Sequence, residues 1–205
     1  MPKRYTLIFF LAVLTFNFRS ADAQTAKNHL EAGNRYYAQK QFSAAILEFT
    51  AALAKKPDLT EAYNNRGLSK VGLKEFAPAI LDYNKALELD PKNANVYYNR
   101  GLAKAGLNEQ EAAVTDYTKA LNLNSAIGAA YYNRGLAKGL IRDNKGAVAD
   151  FEKVVAIDPA DASAYYLLGM AQYNIGNYQG SCANWQKASR LGYAKAKIML
   201  SQKCK

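Results

Sequence analysis

Three sets of residues have the types and spacing to do chemistry. The first is charged. Arg66, Arg100 and Arg134 recur at one constant interval, and each is followed, again at a constant distance, by an aspartate: Asp82, Asp116 and Asp150. A guanidinium is a planar fork that matches a carboxylate, so such pairs offer charge-assisted hydrogen bonds. The second set is the two cysteines, Cys182 and Cys204, which can bridge in an oxidising compartment. The third is the single histidine, His29. Without a second ligand or a partner base it offers neither a metal site nor acid–base catalysis. The sequence holds no glycine-rich phosphate loop, no serine–histidine or cysteine–histidine set and no cluster of metal ligands. The acidic residues recur at fixed positions, as solvated helix faces do, rather than as one unique pair. No catalytic residue, metal or cofactor is therefore assigned, and an enzyme is the weakest reading.

These residues are positioned by a chain that repeats itself. YYNRGLAK at 97–104 returns unchanged at 131–138 and reads YNNRGLSK at 63–70. A fixed period of this length signals a stacked array of small units. With residues 26, 60, 94, 128 and 162 as position 1, the units are 26–59, 60–93, 94–127, 128–161 and 162–193. Position 8 is Gly33, Gly67, Gly101, Gly135 and Gly169; position 20 is Ala45, Ala79, Ala113, Ala147 and Ser181. Position 24 is aromatic (Phe49, Tyr83, Tyr117, Phe151, Trp185), and position 27 is alanine except for Val154. Small residues let two helices approach, and the aromatic ring fills the space beside them. Pro57, Pro91 and Pro159 at position 32 cannot continue the second helix.

Each unit thus reads as helix, turn, helix, and one such pair cannot bury its apolar face alone. The pattern of glycine or alanine at 8, alanine at 20 and 27 and proline at 32 resembles the tetratricopeptide repeat, over residues 26 to about 193. An ordinary helical bundle would not return the same residue types at one period. Pentatricopeptide repeats, which read RNA, run one residue longer per unit. The resemblance implies an all-α fold, a right-handed superhelical solenoid of five helix-turn-helix repeats, with a further helix over 194–205 as its cap. Ala194, Ile198 and Met199 are the residues expected to cover the open edge.

In this register the arginines stand at position 7 and the aspartates at position 23, in the three central units only. The outer units carry Ala32 with Glu48, and Leu168 with Asn184. Arginine occurs only where aspartate does, which predicts structural ion pairs, within a unit or across the stack. Cys182 takes position 21, occupied elsewhere by Ile46, Ile80, Val114 and Val148, and so faces packed surface. It and Cys204 lie about equally far from the turn near Gly192, which levels them in an antiparallel helix pair. A disulfide is expected; the alternative is a buried hydrophobe and a loose terminal thiol.

The resemblance also implies a binding face. In that family the first helix of each unit lines a concave groove. Carried onto this chain, the groove residues are Asn34, Asn64, Asn65, Tyr98, Asn99, Tyr132, Asn133 and Tyr166. An asparagine ladder offers donor and acceptor to a peptide backbone, and tyrosines add contact area with a polar tip. The implied ligand is an extended peptide or short helix of a partner protein; the alternative is that some tyrosines pack between repeats. One subfamily clamps the C-terminal carboxylate of chaperones. Asn34 and Asn65 match its asparagines, but its cationic places hold Leu30, Asn95 and Asn99, so that ligand is not expected.

The segment 1–23 reads differently. Lys3 and Arg4 precede an apolar run from Thr6 to Phe16, and Ala21-Asp22-Ala23 offers a small-residue cleavage site. These are the parts of a secretory signal peptide, and the run is short for a membrane span of about 20 residues. The expected location is periplasmic or extracellular, with an uncleaved anchor as the alternative. The chain's net charge is +10. Its basic residues gather toward the end, among them Lys187, Arg190, Lys195, Lys197 and Lys203. Contact with anionic envelope polymer or lipid is therefore the second functional reading; nucleic acid is a poor partner outside the cytoplasm. The array is expected as a monomer or an end-to-end dimer.

Overall fold

The computed structural model describes residues 22–204. Apart from Asp22 and Ala23, the expected leader lies outside the described residues. Every regular element among the described residues is a helix. The chain divides into two compact units at Pro91 and Lys92. The first holds α1 (22–38), α2 (Phe42–Lys55), α3 (Thr60–Gly72) and α4 (Phe76–Leu89). The second holds α5 (Ala94–Gly106), α6 (Gln110–Leu123), α7 (Gly128–Leu140), α8 (Asn144–Ile157), α9 (Ala162–Asn174), α10 (Tyr178–Arg190) and α11 (Ala194–Lys203). Residues Asp22 and Ala23 already belong to α1, and the Asp22 carboxylate lies 3.3 Å from Lys55 Nζ.

The turn inside each helix pair is built the same way. The residue at position 15 is left-handed in every repeat: Lys40, Lys74, Asn108 and Arg142 have φ between 59° and 65°, and Gly176 has φ 83°. The next N–H then reaches back to the helix just left, as when Glu75 N–H donates to Lys70 C=O at 2.9 Å and Asp143 N–H to Lys138 C=O at 2.8 Å. This closes orphan carbonyls at a helix end. Only Gly176 adopts the conformation without a Cβ penalty. Lys74→Gly and Arg142→Gly, both at exposed sites, should therefore each stabilise their unit by up to about 1 kcal/mol, partly offset by the freer unfolded chain. Urea unfolding of the single variants checks this.

Between the helices of a pair, the position-24 ring lies against the position-8 glycine. A Cβ built on Gly67 or Gly101 would stand 2.7 Å from the ring of Tyr83 or Tyr117. The glycines are thus required by close approach. Phe49, Tyr83, Tyr117, Phe151 and Trp185 are all buried, with alanines packed about them. Tyr83 carries a cost its counterparts Phe49 and Phe151 avoid: its hydroxyl is buried with no hydrogen-bond partner. Burial also pushes its phenol well above the usual tyrosine range, with Tyr37 and Asp82 adding to the shift. Removing an unsatisfied buried hydroxyl relieves about 1–3 kcal/mol of desolvation. Tyr83→Phe should accordingly raise the urea midpoint without changing the slope.

At the C-terminal end, α11 lies on α10 and closes over Trp185. Ala196, Met199 and Leu200 face that cluster with Tyr165, Tyr166, Tyr173 and Tyr193. Ile198 and Ala194, expected from the sequence to cover the edge, are exposed instead. The reason is register: a helix presents i, i+3 and i+4 on one side, and Ala196 begins that set. Cys182 and Cys204 form a disulfide, their Cα atoms 5.8 Å apart.

Candidate functional site

The charged residues form three equivalent clusters. Arg66 Nε and Nη2 donate to Asp82 at 3.0 and 2.6 Å; the Arg100–Asp116 contacts are 2.8 and 2.7 Å. Those of Arg134 to Asp150 are 2.9 and 2.6 Å. Each aspartate is buried and paired with the arginine of its own repeat. A second cation joins each pair: Lys70, Lys104 and Lys138 reach Asp82, Asp116 and Asp150 at 2.8 Å. Each guanidinium also lies 5.4–5.6 Å from the ring centre of Tyr63, Tyr97 or Tyr131, one turn before it. Arg66 and Arg134 use Nη1 to reach Thr50 and Thr118 at 3.1 Å. All of these groups satisfy one another, so the clusters fix helix pairs and present no reactive atom.

Sequence reasoning missed the lysines. The signal was present: position 11 is lysine in those same three units and Tyr36 or Gln172 in the outer two. The outer units use other chemistry. In the last one Asn184 donates to Gln172 Oε1 at 2.8 Å, a neutral copy of the lysine–aspartate contact. In the first, His29 Nδ1 lies 2.7 Å from Glu48 Oε2. His29, expected to have no partner base, has a carboxylate beside it, because Glu48 at position 23 points back between the helices as the aspartates do.

The polar residues of the first helices lie partly buried on their helix faces. In the first unit, Asn65 Nδ2 donates to Asn34 Oδ1 at 2.9 Å, bridging α3 to α1, and Asn64 Nδ2 donates to Asn65 Oδ1 at 2.9 Å. In the second unit, Asn133 Nδ2 donates to Tyr98 OH at 3.1 Å, bridging α7 to α5. The Tyr132 hydroxyl lies 3.4 Å from Ser163 Oγ on α9. The three tyrosine rings are also packing groups: Tyr98 lies on Tyr117 at 5.9 Å, Tyr132 on Phe151 at 6.0 Å and Tyr166 on Tyr193 at 4.8 Å. Burial raises the Tyr98 phenol, against the Asn133 hydrogen bond that lowers it. Asn99 is half-buried on the same helix as Tyr98. The faces therefore offer amide and hydroxyl groups in fixed places, above rings that cannot be truncated without opening the core. Among the described residues no group of histidines, cysteines and carboxylates is placed to hold a metal ion.

Comparison with known proteins gives a consistent picture. A family model described as TPR repeat matches residues 33–74, 71–108 and 143–176, and one described as tetratricopeptide repeat matches 94–127. No curated protein matches the chain. A crystal structure of MamA protein is 26% identical and superposes with a TM-score of 0.77, covering 85% of this chain and 95% of its own. The first TPR of Spaghetti (RPAP3), bound to the HSP90 peptide SRMEEVD, is 28% identical with a TM-score of 0.58, over 58% of this chain and 95% of that one. YrrB, described as a TPR protein with an unusual peptide-binding site, shares the fold at 19% identity, with a TM-score of 0.76 over 85% of this chain and 90% of its own.

Proposed function

Since the chain belongs to the tetratricopeptide repeat family, we propose that it is an exported, non-enzymatic adaptor that holds an extended segment of a partner protein along its first-helix faces. The observation that carries this is the run of half-buried asparagines and tyrosines with side-chain bonds from one first helix to the next, Asn65 to Asn34 and Asn133 to Tyr98. Such groups are already oriented, so a peptide backbone meets donors and acceptors that lose little freedom on binding. Two structures of similar fold are described with peptide or peptide site, which supports the same reading. The cationic places of a carboxylate clamp hold Leu30, Asn95 and Asn99, so the ligand is not an acidic chaperone tail. Export rests on the basic, then apolar, then small-residue order of segment 1–23.

Alanine at Tyr98 or Tyr132 would empty packed space, so the test uses shape-keeping changes. Asn65→Leu, Tyr98→Phe and Asn99→Leu remove polar groups; leucine is what α9 carries at the asparagine position, as Leu167. The triple variant should melt within a few degrees of the native chain yet retain less than one-tenth of the partner captured from an envelope extract, read by mass spectrometry. The captured bait should begin at Gln24. If raised salt instead strips the native chain's cargo while the variant keeps it, the exposed basic residues around α10 and α11 are the binding face.

A further inference from the structure

Two cavities lie in line along α7 and α8, the first also walled by α9 and the second by the turn between α8 and α9. One of about 320 Å³ is walled by Leu136, Gly139 and Leu140 of α7, Phe151 of α8 and Leu167 and Met170 of α9. The other, about 260 Å³, is lined by Tyr132 and Asn133, by Ile157, and by Asp158 and Asp161. Their linings follow successive turns of α7 and of α8, so they are two ends of one furrow. Tyr132 divides it, its ring on Phe151 and its hydroxyl toward Ser163.

Three features set this furrow apart. Gly139 is the last residue but one of α7, and a Cβ there would meet nothing within 4 Å. Unlike the position-8 glycines it makes room for no neighbour; the same position is Tyr37, Val71, Ala105 and Tyr173 in the other repeats. The asparagine ladder ends here, with Leu167 in its place, and Leu140 is 69% exposed beside it. At the other end the Asp158 and Asp161 carboxylates accept from nearby groups, Ala160 N–H at 2.9 Å, Ala164 N–H at 2.9 Å and Ser163 Oγ at 2.7 Å. Among the described residues neither is in an ion pair. Asp161 is also the N-cap of α9. An apolar cleft thus stands next to two carboxylates that hold backbone and hydroxyl donors and no cation, on a chain of net charge +10.

We propose that this furrow receives a peptide segment bearing an apolar side chain for the Leu136–Met170 cleft and a lysine or arginine, three residues away, for Asp158 and Asp161. This rests on the peptide-holding reading above and specifies its ligand. The two linings are centred about seven residues apart on α7, roughly 10 Å. An extended polyproline-type segment returns a side chain to the same face every three residues, about 9 Å on. A cleft at the small end of the usual range for ligand pockets, about 300–1,000 Å³, suits one or two side chains. Gly139 lets the ligand's side chain approach the α7 backbone.

The test selects phage-displayed random twelve-residue peptides on the full chain as its host processes it. The enriched peptides should share an apolar residue and a lysine or arginine three positions apart. Gly139→Leu, which fills open space and favours helix, should melt at or above the native temperature and bind them at least tenfold more weakly. Asp158→Asn with Asp161→Asn keeps the accepting oxygens and should reduce the preference for arginine over glutamine at the basic position from about tenfold toward none. Enriched peptides without that spacing, or binding untouched by Gly139→Leu, would overturn the proposal. If the Asn65, Tyr98 and Asn99 variant loses those peptides while Gly139→Leu holds them, peptide binding stands and the furrow assignment falls. If no peptide is enriched, both fall.

Discussion

Asp116→Ala will cost about 3–5 kcal/mol of stability, whereas replacing the whole cluster by Arg100→Leu, Lys104→Gln and Asp116→Asn will cost about 1 kcal/mol or less. The asymmetry follows from burial. Asp116 is 1% exposed and is held by two cations, Arg100 at 2.7 Å and Lys104 at 2.8 Å. Removing the carboxylate leaves both cations close together with no counter-charge, and water cannot fully replace it. Replacing all three leaves no charge to desolvate, only two amides that can bond to each other. The chain itself supplies the neutral set: the last repeat carries Leu168, Gln172 and Asn184 at these positions, with Leu168 buried and Asn184 bonded to Gln172. In a domain of this size each kcal/mol lost lowers the melting temperature by several degrees. Urea unfolding of the single and triple variants measures both. Equal costs for the two would mean that Asp116 acts through packing shape, and the cluster would lose its electrostatic account.

The same comparison shows what the sequence could and could not yield. Helix pairs and their period were legible because close packing demands small residues opposite a ring, as at Gly101 and Tyr117, and that demand recurs once in every unit. Arginine with aspartate was legible as a joint presence and absence; Lys70, Lys104 and Lys138 obey the same rule but look like ordinary surface lysines until the turn geometry places them. The left-handed turns at Lys40, Lys74 and Arg142 left no mark, since glycine fills that place only at Gly176. The furrow was illegible for a related reason. Gly139 and Leu167 read as ordinary variation within a repeat, and only the empty space above Gly139 makes them a feature. For the first-helix tyrosines residue type alone leaves contact and packing both open; rings on Tyr117 and Phe151 make Tyr98 and Tyr132 packing groups.

Reducing the Cys182–Cys204 bridge will loosen α11 before it unfolds the repeats. The bridge closes a loop across a sequence separation of 22, which in the chain-entropy model is worth about 3 kcal/mol. That stabilisation falls on the weakest element. At 10 residues α11 is below the length at which a helix stands alone in water, and Ala196 is its only fully buried residue. By contrast Trp185 beneath it is fully buried, sends its Nε1–H to Tyr166 C=O at 3.2 Å and packs on Tyr173. It is also the only tryptophan in the chain, so its emission reports this junction alone. In the unreduced protein, unfolding in guanidinium should reveal no free thiol. Under reductant, or in Cys182→Ser, amide exchange in α11 should quicken about a hundredfold, the factor that about 3 kcal/mol implies. Trp185 emission should shift to the red and become accessible to acrylamide, while exchange in α5 and α6 stays slow. Uniform loosening of all helices would instead place the disulfide's contribution in the global transition, and α11 would then be an integral part of the last repeat rather than a tethered cover over it.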